Sequence, residues 1–129
     1  MSGKKLFLFL GIFLLISCAS AANLYVRAGA SGNGNGTDWT NAYNSLPATL
    51  VRGNTYYVAG GSYPSYTFNT AESGTTKIIV KKASASEHGT DNGWQSSYAT
   101  TQAVFSSFFN IERGFFEING SYRNESNWF

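Results

Sequence analysis

The feature that most limits the fold of this 129-residue chain is how short its apolar runs are cut. In "GNTYYVAGGSYPSY", residues 53–66, the β-rich run Thr55–Ala59 lies between a Gly-Asn corner and a Gly-Gly corner. The chain then passes through Tyr63-Pro64 into a second run, Ser65–Phe68. Pro64 has no N–H to give a ladder, so the first run cannot continue there as a central strand. Further runs follow at Lys77–Lys82, Gln102–Phe105, Phe108–Ile111 and Phe115–Asn119, after an earlier one at Asn23–Arg27. Their period is two: Ile78 and Val80 share one face and Ile79 the other, and Leu24 and Val26 oppose Tyr25. No two runs are joined by a two-residue Asn-Gly hairpin, which favours stacked parallel strands over a meander. Val58, Val80, Val104 and Ile118 recur, and their first two intervals fall within the roughly 20–50 residues of a solenoid repeat.

One helix is predicted, over about Leu46–Arg52. Ser45 can cap it, Pro47 sits in the first turn where its missing N–H costs little, and Gly53 stops it. Leu46 and Leu50 fall on one face, and two turns cannot stand alone, so the helix must lie on apolar surface. Ala83–Thr101 is a long polar excursion with no helical period, and loops of that length are usually functional or disordered. Ala28–Thr37 is a Gly-rich loop. It lacks the Lys-Ser/Thr and following helix of a phosphate cradle, and its spacing is not a dinucleotide fingerprint.

The first 22 residues read as a leader. Lys4 and Lys5 form a positive start, Leu6–Ile16 is apolar, and Ala19-Ser20-Ala21 supplies the small-residue cleavage pattern. As a helix the apolar core would reach only about 16 Å, against the roughly 30 Å of a bilayer core, so a permanent anchor is the weaker reading. Leu15-Ile16-Ser17-Cys18 resembles a bacterial lipobox, which gives an alternative: lipidation at Cys18 and a membrane-tethered chain. Otherwise the product is secreted or held at the cell surface, with membrane contact only through the leader. Cys18 is the sole cysteine, so a chain cut at the small-residue site has no disulfide, no zinc-thiolate site and no cysteine nucleophile. A short Lys-Lys start and no cysteine staples suit a bacterial exported protein. The formal charge of +2 resides in Lys4 and Lys5, so the mature chain is balanced and has no basic stripe for nucleic acid. Residues 23–129 are enough for one modest domain, with 16% aromatic and only 12% charged residues over the whole chain, a composition of strands and turns.

Tyr25–Pro64 (YVRAGASGNGNGTDWTNAYNSLPATLVRGNTYYVAGGSYP) resembles the start of secreted right-handed parallel β-helix proteins, the pectin-lyase-like group. The resemblance is carried by a Tyr-Val strand, a Gly-rich loop, and Trp39, Asn41, Ala42, Tyr43, Ser45 and Leu46. Gly53-Asn54-Thr55, Tyr57-Val58-Ala59 and Gly61-Ser62-Tyr63-Pro64 complete it. It covers Leu24–Lys82 well and the rest loosely. It implies an all-β, right-handed parallel β-helix, of which residues 23–129 would be the N-terminal cap with a short helix and the first rungs only. The cap is a physical need, because a terminal rung otherwise presents unpaired N–H and C=O groups. Such domains run for many rungs, so the chain is expected to be a fragment; the alternative is a small domain that closes itself with Trp128 and Phe129. The implied function is a segment of a polysaccharide-active or polysaccharide-binding protein without a complete active site. The alternatives are a non-enzymatic adhesion β-helix or a small carbohydrate-binding module. A full-length relative would be a polysaccharide lyase, with Ca²⁺, or a glycoside hydrolase; the chain alone is expected to need no cofactor and to turn nothing over.

Few residues are candidates for chemistry. Catalytic groups of the resembling families lie on later rungs, and no position here matches them. Trp39, Trp94 and Tyr98 are the sugar-stacking candidates, with Tyr63 and Tyr66 in the same class, because flat rings suit the apolar faces of pyranoses. Phe68, Phe105 and Phe116 read as core. Glu87 and Asp91 flank His88 and are weak candidates for a hard metal, which otherwise has no site; the plainer reading is a polar surface loop. Asp38 reads as a turn cap. Glu112, Arg113 and Glu117 read as a solvated strand edge.

Overall fold

The computed structural model describes residues 20–107 and 109–120. The leader core with Cys18, and the terminal Trp128 and Phe129, lie outside the described residues. The described chain is mostly strands: β1 (Asn23–Val26), β2 (Thr55–Val58), β3 (Gly61–Tyr63), β4 (Tyr66–Phe68), β5 (Ile78–Lys82), β6 (Ala103–Phe105), β7 (Phe109–Ile111) and β8 (Phe116–Asn119). A single helical turn, α1 (Ser97–Thr100), stands between β5 and β6. Among the described residues no helix is long and apolar enough to cross a membrane.

Every ladder among the described residues is parallel. The first sheet has the order β1-β2-β5-β8, the second pairs β3 with β6, and the third pairs β4 with β7. From β2 onward the chain therefore visits first, second, third, first, second, third and first sheet in turn. The first sheet is held in register by Leu24↔Tyr56, Tyr56↔Val80 and Val80↔Ile118. Alternation then sends Val26, Tyr56, Val58, Ile78 and Val80 to one core, where Leu46, Leu50, Tyr63, Phe68 and Ala103 join them. Phe105, Phe109 and Phe116 pack against its margin, so the core reading of Phe68 holds and Phe105 and Phe116 are its half-buried rim.

Two expectations need correction. Leu46–Arg52 is not a helix; it is bends and turns. Both leucines are nonetheless buried, at 6% and 1% exposure. Local helix signals summed over two turns do not offset nucleation, and tertiary bonds take the backbone and its neighbours instead. The Tyr56 hydroxyl accepts from Val51 N (2.9 Å), and Tyr66 Oη donates to Pro47 O (2.8 Å). Val104, placed by its interval in line with Val58 and Val80, lies on the second sheet opposite Ser62 and is 49% exposed. The excursion between β5 and β6 breaks the even interval.

One outer edge of the first sheet is covered by the chain itself. Beyond β1 the edge is closed by the loop that follows it: Tyr25 N donates to Gly36 O (2.9 Å), Tyr43 N to Tyr25 O (2.9 Å) and Arg27 N to Tyr43 O (2.8 Å). On the other side of β1, pairing with the β2 segment starts at Ala22, whose carbonyl accepts from Thr55 N (2.9 Å) and whose amide donates to the buried Asn54 side chain (3.0 Å). Arg52 ties the turns together from outside. It donates to the carbonyls of Thr70 (2.6 Å), Ala71 (3.1 Å), Thr76 (3.4 Å) and Phe115 (2.8 Å), and its guanidinium lies 4.6 Å from the Phe116 ring centre.

Candidate functional site: an aromatic cluster on the outer face

Alternation along β1 and β2 puts Tyr25 and Tyr57 on the face of the first sheet opposite the main core. Their rings stack at 5.7 Å. Two loops cover them and build a second core of Tyr25, Ala30, Trp39, Ala42, Tyr57, Ala59 and Ala83, with Trp94 and Tyr98 against it. The three sugar-stacking candidates, far apart in sequence, meet here: Trp39 is 5.2 Å from Trp94 and 5.7 Å from Tyr98, and Trp94 is 5.6 Å from Tyr98.

Trp39 is fully buried and has no face open to a sugar, which corrects its place among the stacking residues. Tyr25 packs on it at 5.0 Å, its indole N–H donates to His88 O (3.1 Å), its amide donates to Asn92 O (3.1 Å), and its carbonyl accepts from Arg27 Nε (3.1 Å). It is the post to which the excursion is fastened. Trp94 and Tyr98 are half-buried at the rim. His88 stacks on Trp94 at 4.0 Å, the two rings nearly parallel, and Arg27 lies 5.2 Å over the Tyr98 ring. Tyr63 is buried and Tyr66 half-buried, and both hydroxyls are taken by backbone, Tyr63 Oη donating to Ala59 O (2.8 Å). Burial pushes both tyrosines up to about 12.

The acidic candidates do not converge. Glu87 pairs with Lys81, and Asp91 accepts from His88 Nε2 (2.8 Å). Among the described residues no three His, Cys, Asp or Glu side chains are grouped so as to hold a metal ion. His88 Nδ1 also contacts Ser84 O (3.3 Å), so the imidazole is a brace within the loop. Asp38 is a turn cap: its carboxylate accepts from Asn41 N (2.7 Å) and Nδ2, and from Asn92 Nδ2 (3.0 Å). The Asn41 backbone N–H, then its side chain, hold Asp38 below the usual carboxylate range. Glu117 pairs with Lys77 (3.2 Å), and Glu112 accepts from Asn110 (2.9 Å), both on the surface.

Lys82 is a residue the sequence reading passed over. It is 3% exposed, and it continues the inward row of Ile78 and Val80, opposite Val58. Its ammonium donates to Ala83 O (2.8 Å), Tyr98 O (3.1 Å) and Ala99 O (3.5 Å). Gly60 N also donates to Tyr98 O (2.8 Å). The lysine thus clamps α1, and with it the Tyr98 ring, to the strands. The period-two pattern held the signal, since it puts a charge at an inward position. Comparison with protein-family profiles, curated proteins and solved structures finds no match to this chain.

Proposed function

We propose that this chain is the first section of an exported right-handed parallel β-helix from a polysaccharide-active or polysaccharide-binding protein, without a complete active site of its own. The observation that carries the reading is the cyclic order of all-parallel strands through three sheets. A chain that winds steadily in one sense produces that order, and parallel crossovers are right-handed in nearly all proteins. Closure of the β1 edge by Gly36 and Tyr43 supports a capping role for Ala28–Arg52, carried out by turns in place of the expected helix. The polysaccharide part rests on the resemblance of Tyr25–Pro64 to pectin-lyase-like proteins and on the half-buried rim of Trp94 and Tyr98. His88 already stacks on Trp94 and the Arg27 guanidinium lies over Tyr98, so it is the remaining exposed part of the two rings that can meet the C–H face of a sugar, with Arg27 available to hydroxyl or carboxylate groups. Acidic catalytic groups and any Ca²⁺ would belong to later rungs. The leader implies export, with Cys18 lipidation as the alternative mode of surface attachment.

Affinity electrophoresis through gels containing pectin, alginate or xylan tests the binding part. Retardation is expected, and Trp94→Ala should reduce it while leaving the strand signal in far-ultraviolet circular dichroism unchanged. No retardation in any gel would remove the polysaccharide reading. Release of new reducing ends or unsaturated products by the pure chain would overturn the statement about the active site. Reading the encoding frame past codon 129 tests the architecture separately, and further short β-runs are expected there.

A further inference from the structure

The loop that closes the β1 edge carries a second chemical feature. Asn35-Gly36-Thr37 is an Asn-x-Thr acceptor triplet. Asn35 and Thr37 are exposed, whereas Gly36 between them is buried. Thr37 donates to the same side-chain oxygen of Asn35 twice, from its backbone N–H (3.1 Å) and from its hydroxyl (2.8 Å). Both bonds fall on Oδ1, so the amide nitrogen is the atom Thr37 leaves unengaged. The hydroxyl bond also draws electron density toward Oδ1, which is the contact a threonine two residues on can make and most residue types cannot. Gly36 fixes the triplet. Its N–H donates to Asn41 O (2.8 Å), its carbonyl accepts from Tyr25 N (2.9 Å), and its φ is +73°. A Cβ there would meet the Tyr43 ring at 2.2 Å. The asparagine is therefore displayed outward by a backbone anchored on both sides.

We infer that Asn35 is an N-glycosylation site. The donor class is an oligosaccharide linked through a diphosphate to a membrane polyprenol. In the transfer, Asn35 Nδ2 bonds to the anomeric carbon as the bond from that carbon to the diphosphate oxygen breaks. The lipid diphosphate leaves with the bonding pair, and the amide gives up one proton to the transferase. The lumen that supplies donor and enzyme is either endoplasmic reticulum or a periplasm equipped for the same chemistry. The inference rests on the export reading, because the transfer takes place only on the far side of a membrane. It also gives the loop a second task, since a glycan at Asn35 would shield the closed edge of the first sheet from other strands.

The test is synthesis of the full chain with its own leader in a cell-free system containing glycosylation-competent microsomes. Protease protection reports translocation, and endoglycosidase-sensitive mass shift reports the glycan. Asn119-Gly120-Ser121 and Asn124-Glu125-Ser126 are further triplets, so the readout is the difference made at residue 35. The protected chain is expected to lose one glycan's mass in Asn35→Gln and in Thr37→Ala, and to keep part of it in Thr37→Ser. A protected chain whose mass is unchanged by Asn35→Gln would overturn the inference and leave the export reading standing. A chain that stays outside the vesicles would overturn both.

Discussion

At the scale of single residues, the second core turns on Trp39. Its ring is enclosed, its N–H is satisfied, and it meets three other aromatic rings. Trp39→Ala should cost about 3–5 kcal/mol, read by chemical denaturation, whereas Trp94→Ala, at the rim, should cost less. The order of the two costs separates a structural post from a surface contact. Tyr63 and Tyr66 make a pH prediction. Both are pushed up to about 12 from the ordinary 10.0, chiefly by burial, so the folded state favours the neutral phenol. Their contribution is fully present below about pH 10 and is lost as pH rises toward 12. Melting temperature should fall over that window, and Tyr63→Phe should flatten the fall. Composition and pattern could nominate Trp39, Trp94 and Tyr98 as one class, but they could not say which ring faces inward. That depends on two loops from different parts of the chain closing over Tyr25 and Tyr57.

At the scale of elements, the strands were readable because period-two alternation is written locally. Lys77–Lys82 and Thr55–Ala59 differ from β5 and β2 only at an end residue. The helix at Leu46–Arg52 was misread because capping signals and two spaced leucines are equally consistent with turns that lay the same leucines on a core. Gly61 and the nearby Pro64 read as breakers and predict a corner where β3 lies, yet its ladder with β6 forms at Gly61↔Ala103. The excursion from Ala83 to Thr101 was expected to be functional or disordered. It is ordered, being fastened at Trp39, at Gly60 and at the Lys82 ammonium. Lys82→Met keeps the bulk and removes the donor. It should cost about 1–3 kcal/mol, and amide exchange in α1 and at Gly60 should speed up before that of β2 and β5 changes. Uniform acceleration through all the strands would show that the excursion is not a separately held unit.

At the scale of the whole molecule, parallel stacking was legible from the missing hairpins, but the assignment of strands to sheets was not. The even intervals that suggested one column of valines are broken by the segment between β5 and β6, which sends Val104 to the second sheet, and only the ladders show which runs are neighbours. Those ladders have a consequence in time. The shortest loop that any of them closes runs from Thr55 to Ile79, and among the described residues no strand is joined to its partner by a tight turn. Chain-closure entropy must be met before any sheet contact forms, so there is no local nucleus to start from. Refolding is expected in milliseconds to seconds by stopped-flow fluorescence, and a microsecond phase carrying most of the amplitude would contradict it. During synthesis the order is more favourable: β1 and the loop that closes its edge emerge first, β3 and β4 open the other two sheets, and β2, β5, β6, β7 and β8 each arrive at an edge already in place. The molecule is thus suited to being assembled vectorially, as a template read out from one end, and should regain its structure from denaturant more slowly than it acquires it on emergence.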